Sequence, residues 1–263
     1  MAQPKGRKPR NKKTTIREEL EEIDSMDNFI REQVLSYQFK INCKFKNKKQ
    51  KEMYDTIMEN RITFVNGVAG SGKTLVALMA GLECLKNKNI NISQIVLTKP
   101  IVEITTNKGL GALPGDLDSK TLPYFTHFYD NLIKIIGNEA TGYLKQNGVI
   151  KETVLNYVRG STFGKYTADG KPVGTFCIFD ETQNCTTTEM KTFISRLGEQ
   201  SRMVILGDSD QIDIKLQKGE RCGLEDAIER LKGVDKIGFV EFTEDDIVRD
   251  SFLIEIMKRY KLG

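Results

Sequence analysis

Residues 67–74 read GVAGSGKT, which fits the spacing GxxxxGK[ST] without a gap: Gly67, four residues, Gly72, Lys73, Thr74. Each part has a physical role at a polyphosphate. Glycines let the backbone curl, so that the N–H groups of the loop residues Val68, Ala69, Gly70 and Ser71 can turn inward at phosphate oxygens. A helix beginning near Gly72 adds the positive end of its dipole. Lys73 can reach the β- and γ-phosphates, and the Thr74 hydroxyl can coordinate Mg²⁺. A glycine-rich turn can match such a pattern by chance. Here the context agrees as well: an apolar run, ITFVN, precedes it and an apolar helical run follows.

Such a site needs an acid at the tip of a neighbouring strand, and TFCIFDETQN supplies one. Four apolar residues lead to Asp180, suited to holding Mg²⁺ through its water shell. Glu181 follows and can polarise an attacking water. A third element, MVILGDSDQID, ends another apolar run in Gly207-Asp208, with Gln211 three residues on. A glutamine amide both donates and accepts hydrogen bonds, so Gln211 can sense a γ-phosphate. Alone, the second and third stretches also describe strands ending in polar turns; beside residues 67–74 they point to ATP hydrolysis.

These groups need a scaffold. Strands are expected at 62–66, 94–98, 175–179, 202–206 and 237–242, with helical stretches at 73–86, 121–136, 187–197, 223–232 and 251–260 between them. The near-continuous apolarity of IVL, FCIF and MVIL predicts strands buried on both faces. That implies an α/β fold with a mostly parallel sheet covered by helices on both sides. Thr186 and Glu189 stand at capping-box spacing before the helix that follows the third strand. KKQKEMYDTI predicts another helix ahead of the first strand. The stretch 99–174 is less regular, and GSTFGKYTADGKPVG within it reads as a hairpin or mobile loop.

The N-terminus differs in kind. Residues 1–13 carry six cations and no acid, so the chain's net charge of +4 leaves the remainder at −2. Residues 1–14 are expected to form a disordered basic arm, which could grip nucleic acid through phosphates or serve as a solubilising tail. A helical extension is expected over 15–47, and an ATPase domain over 48–263. No run approaches the ~20 apolar residues that span a bilayer, and the first residues do not form a secretory signal. Five scattered cysteines without a CxxC pair, and one histidine, argue against a zinc site or disulfide framework. A reducing cytoplasm fits this usage.

GxAGSGKT, DETQN and GDxxQID, in this order, resemble the PhoH-like ATPase family, itself related to superfamily 1 helicases. IVLTKPIVE at 95–103, LGALPGDLDSK at 110–120 and DIVRD at 246–250 agree with the same pattern. The resemblance runs from about residue 50 to 260. It implies a RecA-like P-loop fold, ATP and Mg²⁺ as ligands, and dealings with RNA. Carried over by motif, Lys73, Thr74, Asp180, Glu181 and Gln211 are the ATP residues, and Gln50 would read the adenine edge. The chain departs from the family at Lys99, Ser161 and Asp250, and at His127, where an arginine is usual. These departures bear on substrate handling more than on ATP binding.

A superfamily 1 helicase closes its ATP cleft with a second RecA-like domain that donates an arginine, worth on the order of 10³–10⁵ in rate. This chain has room for one such domain. The arginine must fold back from its own C-terminal part or come from a neighbour, which implies a head-to-tail homo-oligomeric ring, expected as a hexamer. Arg249 ranks first, then Arg196 and Arg159. Three functions compete: an ATP hydrolase acting on RNA or single-stranded nucleic acid, with the loop at 105–116 as a contact; a slow nucleotide-dependent switch or scaffold; and a small-molecule kinase, disfavoured by Asp180-Glu181 beside GDxxQ.

Overall fold

The computed structural model describes residues 37–100, 117–155, 158, 162–167, 169–217, 219–248 and positions 252, 256 and 259, with the backbone alone for 117–122. Its elements are α1 (Lys48–Glu59), β1 (Ile62–Gly67), α2 (Lys73–Lys86), β2 (Ile92–Lys99), α3 (Leu117–Ile136), α4 (Asn138–Gln146), β3 (Ile150–Val154), β4 (Lys165–Tyr166), β5 (Pro172–Phe179), α5 (Thr187–Ile194), β6 (Arg202–Gly207), α6 (Gly223–Leu231) and β7 (Ile237–Phe242). Short 3₁₀ helices cover Thr182–Asn184 and Glu244–Asp246.

The strands form one sheet in the order β3-β2-β5-β6-β1-β7, all neighbours on that path being parallel; β4 pairs antiparallel with β5. Alternate residues of each buried strand face opposite layers. Val65, Phe176, Ile178, Val204 and Leu206 pack under α1 to α4. Phe64, Cys177, Phe179, Met203 and Ile205 pack with Met190 and Phe193 of α5 and Leu224 of α6. This double burial is the reason those strands are apolar without alternation. The capping box at Thr186 forms: its hydroxyl accepts from the Glu189 N–H, and Glu189 accepts from the Thr186 N–H.

All five expected strands are present, and the helix over 73–86 has the expected bounds. α3 begins earlier than 121 and runs through Pro123. The stretch read as irregular holds α4 and β3 as well. β3 is an edge strand whose apolar ends, Ile150 and Val154, flank Lys151 and Glu152, so it lacks a continuous apolar run. The expected hairpin appears where Lys165 pairs with Val173 and Tyr166 with Pro172.

The expected helical extension over 15–47 needs correcting at its described end. Residues 37–47 contain no helix. They form an extended strap in which Phe39, Ile41, Cys43 and Phe45 turn inward while Lys40, Asn42, Lys44 and Lys46 face solvent. That period of two belongs to an extended chain and not to a helix. The Asn42 N–H donates to the Ile135 carbonyl at 2.8 Å, and the Tyr37 ring stacks on Tyr143 at 4.2 Å between centroids. The basic arm lies outside the described residues, as do the loop at 105–116 and most of the expected final helix at 251–260.

Candidate functional site

The chain leaves β1 through 67–72 and enters α2 at Lys73. Gly67 has φ of +134° and Gly72 of +87°, and a Cβ would come within 2.2 Å of the Phe242 carbonyl at the first and 2.5 Å of Gln50 Nε2 at the second. Neither position admits a side chain. The loop therefore owes its curl to glycine, and its backbone caps the start of a helix whose N-terminus carries no acidic side chain. Ser71 is buried and donates from Oγ to the Val68 carbonyl at 2.9 Å. Lys73 Nζ donates to the Gly67 carbonyl and to that of Val68.

Thr74 Oγ1 donates to Asp180 Oδ2 at 2.8 Å, which brings the hydroxyl of the first motif onto the acid of the second. Burial works to raise the Asp180 carboxyl, but hydrogen bonds from His127, Thr74 and the Glu181 N–H outweigh it and hold the group below the usual carboxylate range. The carboxylate is thus kept as an anion. A hydroxyl and a carboxylate sharing one point fit Mg²⁺, which keeps most of its waters and takes one or two protein ligands. Among the described residues there is no cluster of three or more His, Cys, Asp or Glu to hold a softer metal.

These groups line one cleft of about 530 Å³, together with Glu181, Gln211 and His127, Asn131 and Lys134 of α3. The cleft opens at the carboxyl ends of β1, β5 and β6, where chain crossovers leave the sheet in opposite directions; open parallel sheets bind ligands there. The wall from α3 was not apparent in the sequence apart from His127. Its signal is the spacing 127, 131, 134, which puts three polar residues on one helical face. His127 Nε2 lies 3.4 Å from Asp180 Oδ2.

Gln50, expected at the adenine edge, sits against the loop. It is fully buried; its Nε2 donates to the Ser71 carbonyl at 2.8 Å, and its Oε1 accepts from the Lys46 N–H at 2.7 Å. Its amide braces the phosphate loop from behind Ser71. Arg196 points back to its own helix, with Nε donating to the Thr192 carbonyl at 3.3 Å. It lies where α5 returns toward the start of β6, at the opposite end of the sheet from Lys73. Arg159 and Arg249 are outside the described residues, but the Val248 N–H donates to the Gly70 carbonyl at 3.1 Å. The segment leading to Arg249 is therefore fastened to the phosphate loop.

A strand, a glycine-bent loop on a helix N-terminus, and an acidic strand tip separated from it by one inserted strand define a P-loop NTPase fold of the RecA-like type. Residues 42–261 match the PhoH-like protein family, and the chain belongs to it. It is 36% identical over 239 residues to a PhoH-like protein of Bacillus subtilis, covering 91% of this chain and 70% of that one. It is 38% identical to a PhoH-like protein of Mycobacterium bovis over 80% of this chain and 32% identical to protein PhoH of Escherichia coli over 82%. The chain spans only 56% and 57% of those two relatives. Among solved structures, the UvsW helicase of bacteriophage T4 matches at a TM-score of 0.42 and 14% identity, over 81% of this chain and 66% of that one. The large terminase of a thermophilic bacteriophage, in complex with ADP, matches at 0.41 and 12%, over 81% and 49%.

Proposed function

We propose that this chain is a Mg²⁺-dependent ATP hydrolase that couples turnover to movement on, or remodelling of, RNA or another single-stranded nucleic acid. The observation that carries the hydrolase reading is the Thr74–Asp180 hydrogen bond with the exposed Glu181 carboxylate beside it. Thr74 and Asp180 would hold Mg²⁺, which when bound neutralises charge on the phosphates. Lys73 would exchange loop carbonyls for phosphate oxygens. Glu181 would take the proton from the attacking water, and Gln211 would answer to the γ-phosphate.

The nucleic-acid part rests on the basic arm and on the loop at 105–116. A single RecA-like domain forms one wall of the cleft that two such domains close in a helicase. A head-to-tail neighbour would supply the other wall, and repetition closes a ring, read here as a hexamer. The bond from Val248 to Gly70 supports Arg249 as an arginine for its own cleft. The position of Arg196 at the far end of the sheet supports its delivery to a neighbour.

Steady-state ATPase assays with and without single-stranded RNA test this reading. Glu181→Gln should lower kcat by about 10²–10⁴ while ATP still binds. Single-stranded RNA should stimulate the wild-type rate. Turnover that RNA leaves unchanged, with assembly that follows nucleotide, would instead favour the switch.

A further inference from the structure

Gln183 stands between the tips of two strands. Its side chain is buried; Nε2 donates to Glu181 Oε2 at 2.7 Å, and Oε1 accepts from the Asp208 N–H at 3.1 Å. Gln211 Nε2 in turn donates to Asp208 Oδ2 at 2.7 Å. Glu181, Gln183, Asp208 and Gln211 thus form one hydrogen-bonded line from the tip of β5 to the loop after β6. The amide orientation is forced: only its oxygen can accept from a backbone N–H, so its nitrogen must face the carboxylate.

We infer that Gln183 is a positioning residue that holds the Glu181 carboxylate in the cleft and couples its orientation to the tip of β6. The inference rests on the hydrolase reading. Glu181 needs such a holder: it is exposed, and it occupies the left-handed region at φ of +57°. A carboxylate on a free side chain would sample several rotamers, and a misplaced general base loses rate even when binding is intact. Room for the amide comes from Gly207, where a Cβ would lie 3.0 Å from Gln183 Oε1 and 2.5 Å from Leu224 Cδ2. The coupling extends outward. Asn184 and Asp213 exchange two hydrogen bonds, Nδ2 to Oδ2 at 3.1 Å and N–H to Oδ1 at 2.7 Å. They bolt the segment 211–217, whose Ile212, Ile214 and Leu216 are half-buried against the core, to the 3₁₀ helix that carries Gln183.

The test uses the full chain, with ATPase kinetics, binding of a non-hydrolysable ATP analogue and thermal melts. Gln183→Met should lower kcat about tenfold or more, with KM and analogue affinity changed by less than about twofold. In a Glu181→Gln background the same substitution should cost less than about twofold, because the group it acts through is gone. Gln183→Met leaves the Asp208 N–H without an acceptor; if that variant fails to fold, Gln183→Asn decides, since it keeps an amide but is one methylene too short to bridge the Asp208 N–H and the Glu181 carboxylate. A wild-type kcat in the variant that folds overturns the inference, as does an undiminished loss in the Glu181→Gln background. Absence of wild-type turnover, or a Glu181→Gln variant as fast as wild type, overturns the hydrolase reading and the inference with it.

Discussion

Lys73 and Gln50 show two ways in which one side chain can matter to the same loop. In the proposed function Lys73 is the charge that meets the phosphates. Lys73→Ala should weaken ATP binding by about 100-fold, read by titration with a fluorescent analogue, with little change in melting temperature. Gln50 acts on the protein's own backbone. Gln50→Ala would leave the Ser71 carbonyl and the Lys46 N–H without partners, at roughly 1–3 kcal/mol each. The melting temperature should fall by about 2–4 °C per kcal/mol in a domain of this size. A role at the adenine edge would instead show as lost discrimination between ATP and GTP at an unchanged melting temperature. The type of residue at position 50 can be read from the sequence, but not its partner. An amide serves a base and a carbonyl equally well, and only the approach of the loop decides between them.

At the scale of elements, hydrophobic pattern identifies the strands that carry apolar runs and misses β3, whose run is broken by charge. β1, β2, β5 and β6 carry near-continuous apolar runs because helices cover both sides. β3 is interrupted by charge because it is an edge. The strap before α1 departs from expectation for a different reason: the acidic, glycine-free stretch upstream has a helical composition, and only at 37–46 do the residues change to strict alternation. Phe39 is the strap's anchor, 6% exposed, with the Lys86 ammonium over its ring at 5.5 Å. Phe39→Ala should destabilise the domain by about 3 kcal/mol, measurable as a lower urea midpoint at an unchanged slope. The loss should leave the cleft geometry intact, so nucleotide affinity below the transition should stay within a few-fold of wild type.

For the whole molecule, the proposed head-to-tail ring is tested by mixing subunits. If Arg196 serves a neighbour, mixing Lys73→Ala subunits with Arg196→Ala subunits should restore part of the ATPase rate, because some interfaces then join an intact loop to an intact arginine. Mixing Lys73→Ala with Arg249→Ala should restore little, since each subunit's cleft would then carry one of the two defects and none would be intact. Particle mass with and without ATP should report the ring directly; a species that stays monomeric at full turnover would remove it. Among the described residues no helix is long and apolar enough to cross a membrane.

The residues that line the candidate cleft were legible as a list because each is suggested by chemistry local to its own strand tip: curl at Gly67 and Gly72, charge at Lys73, acid at Asp180 and Glu181. The order of the strands was not legible, and it is what brings Thr74 to within 2.8 Å of Asp180 across 106 positions of sequence. The brace at Gln50, the wall from α3 and the amide line through Gln183 depended on it too. Periodicity reports which face of an element is buried, whereas hydrogen-bond partners are chosen by which backbones come within about 3 Å. That choice belongs to the folded sheet.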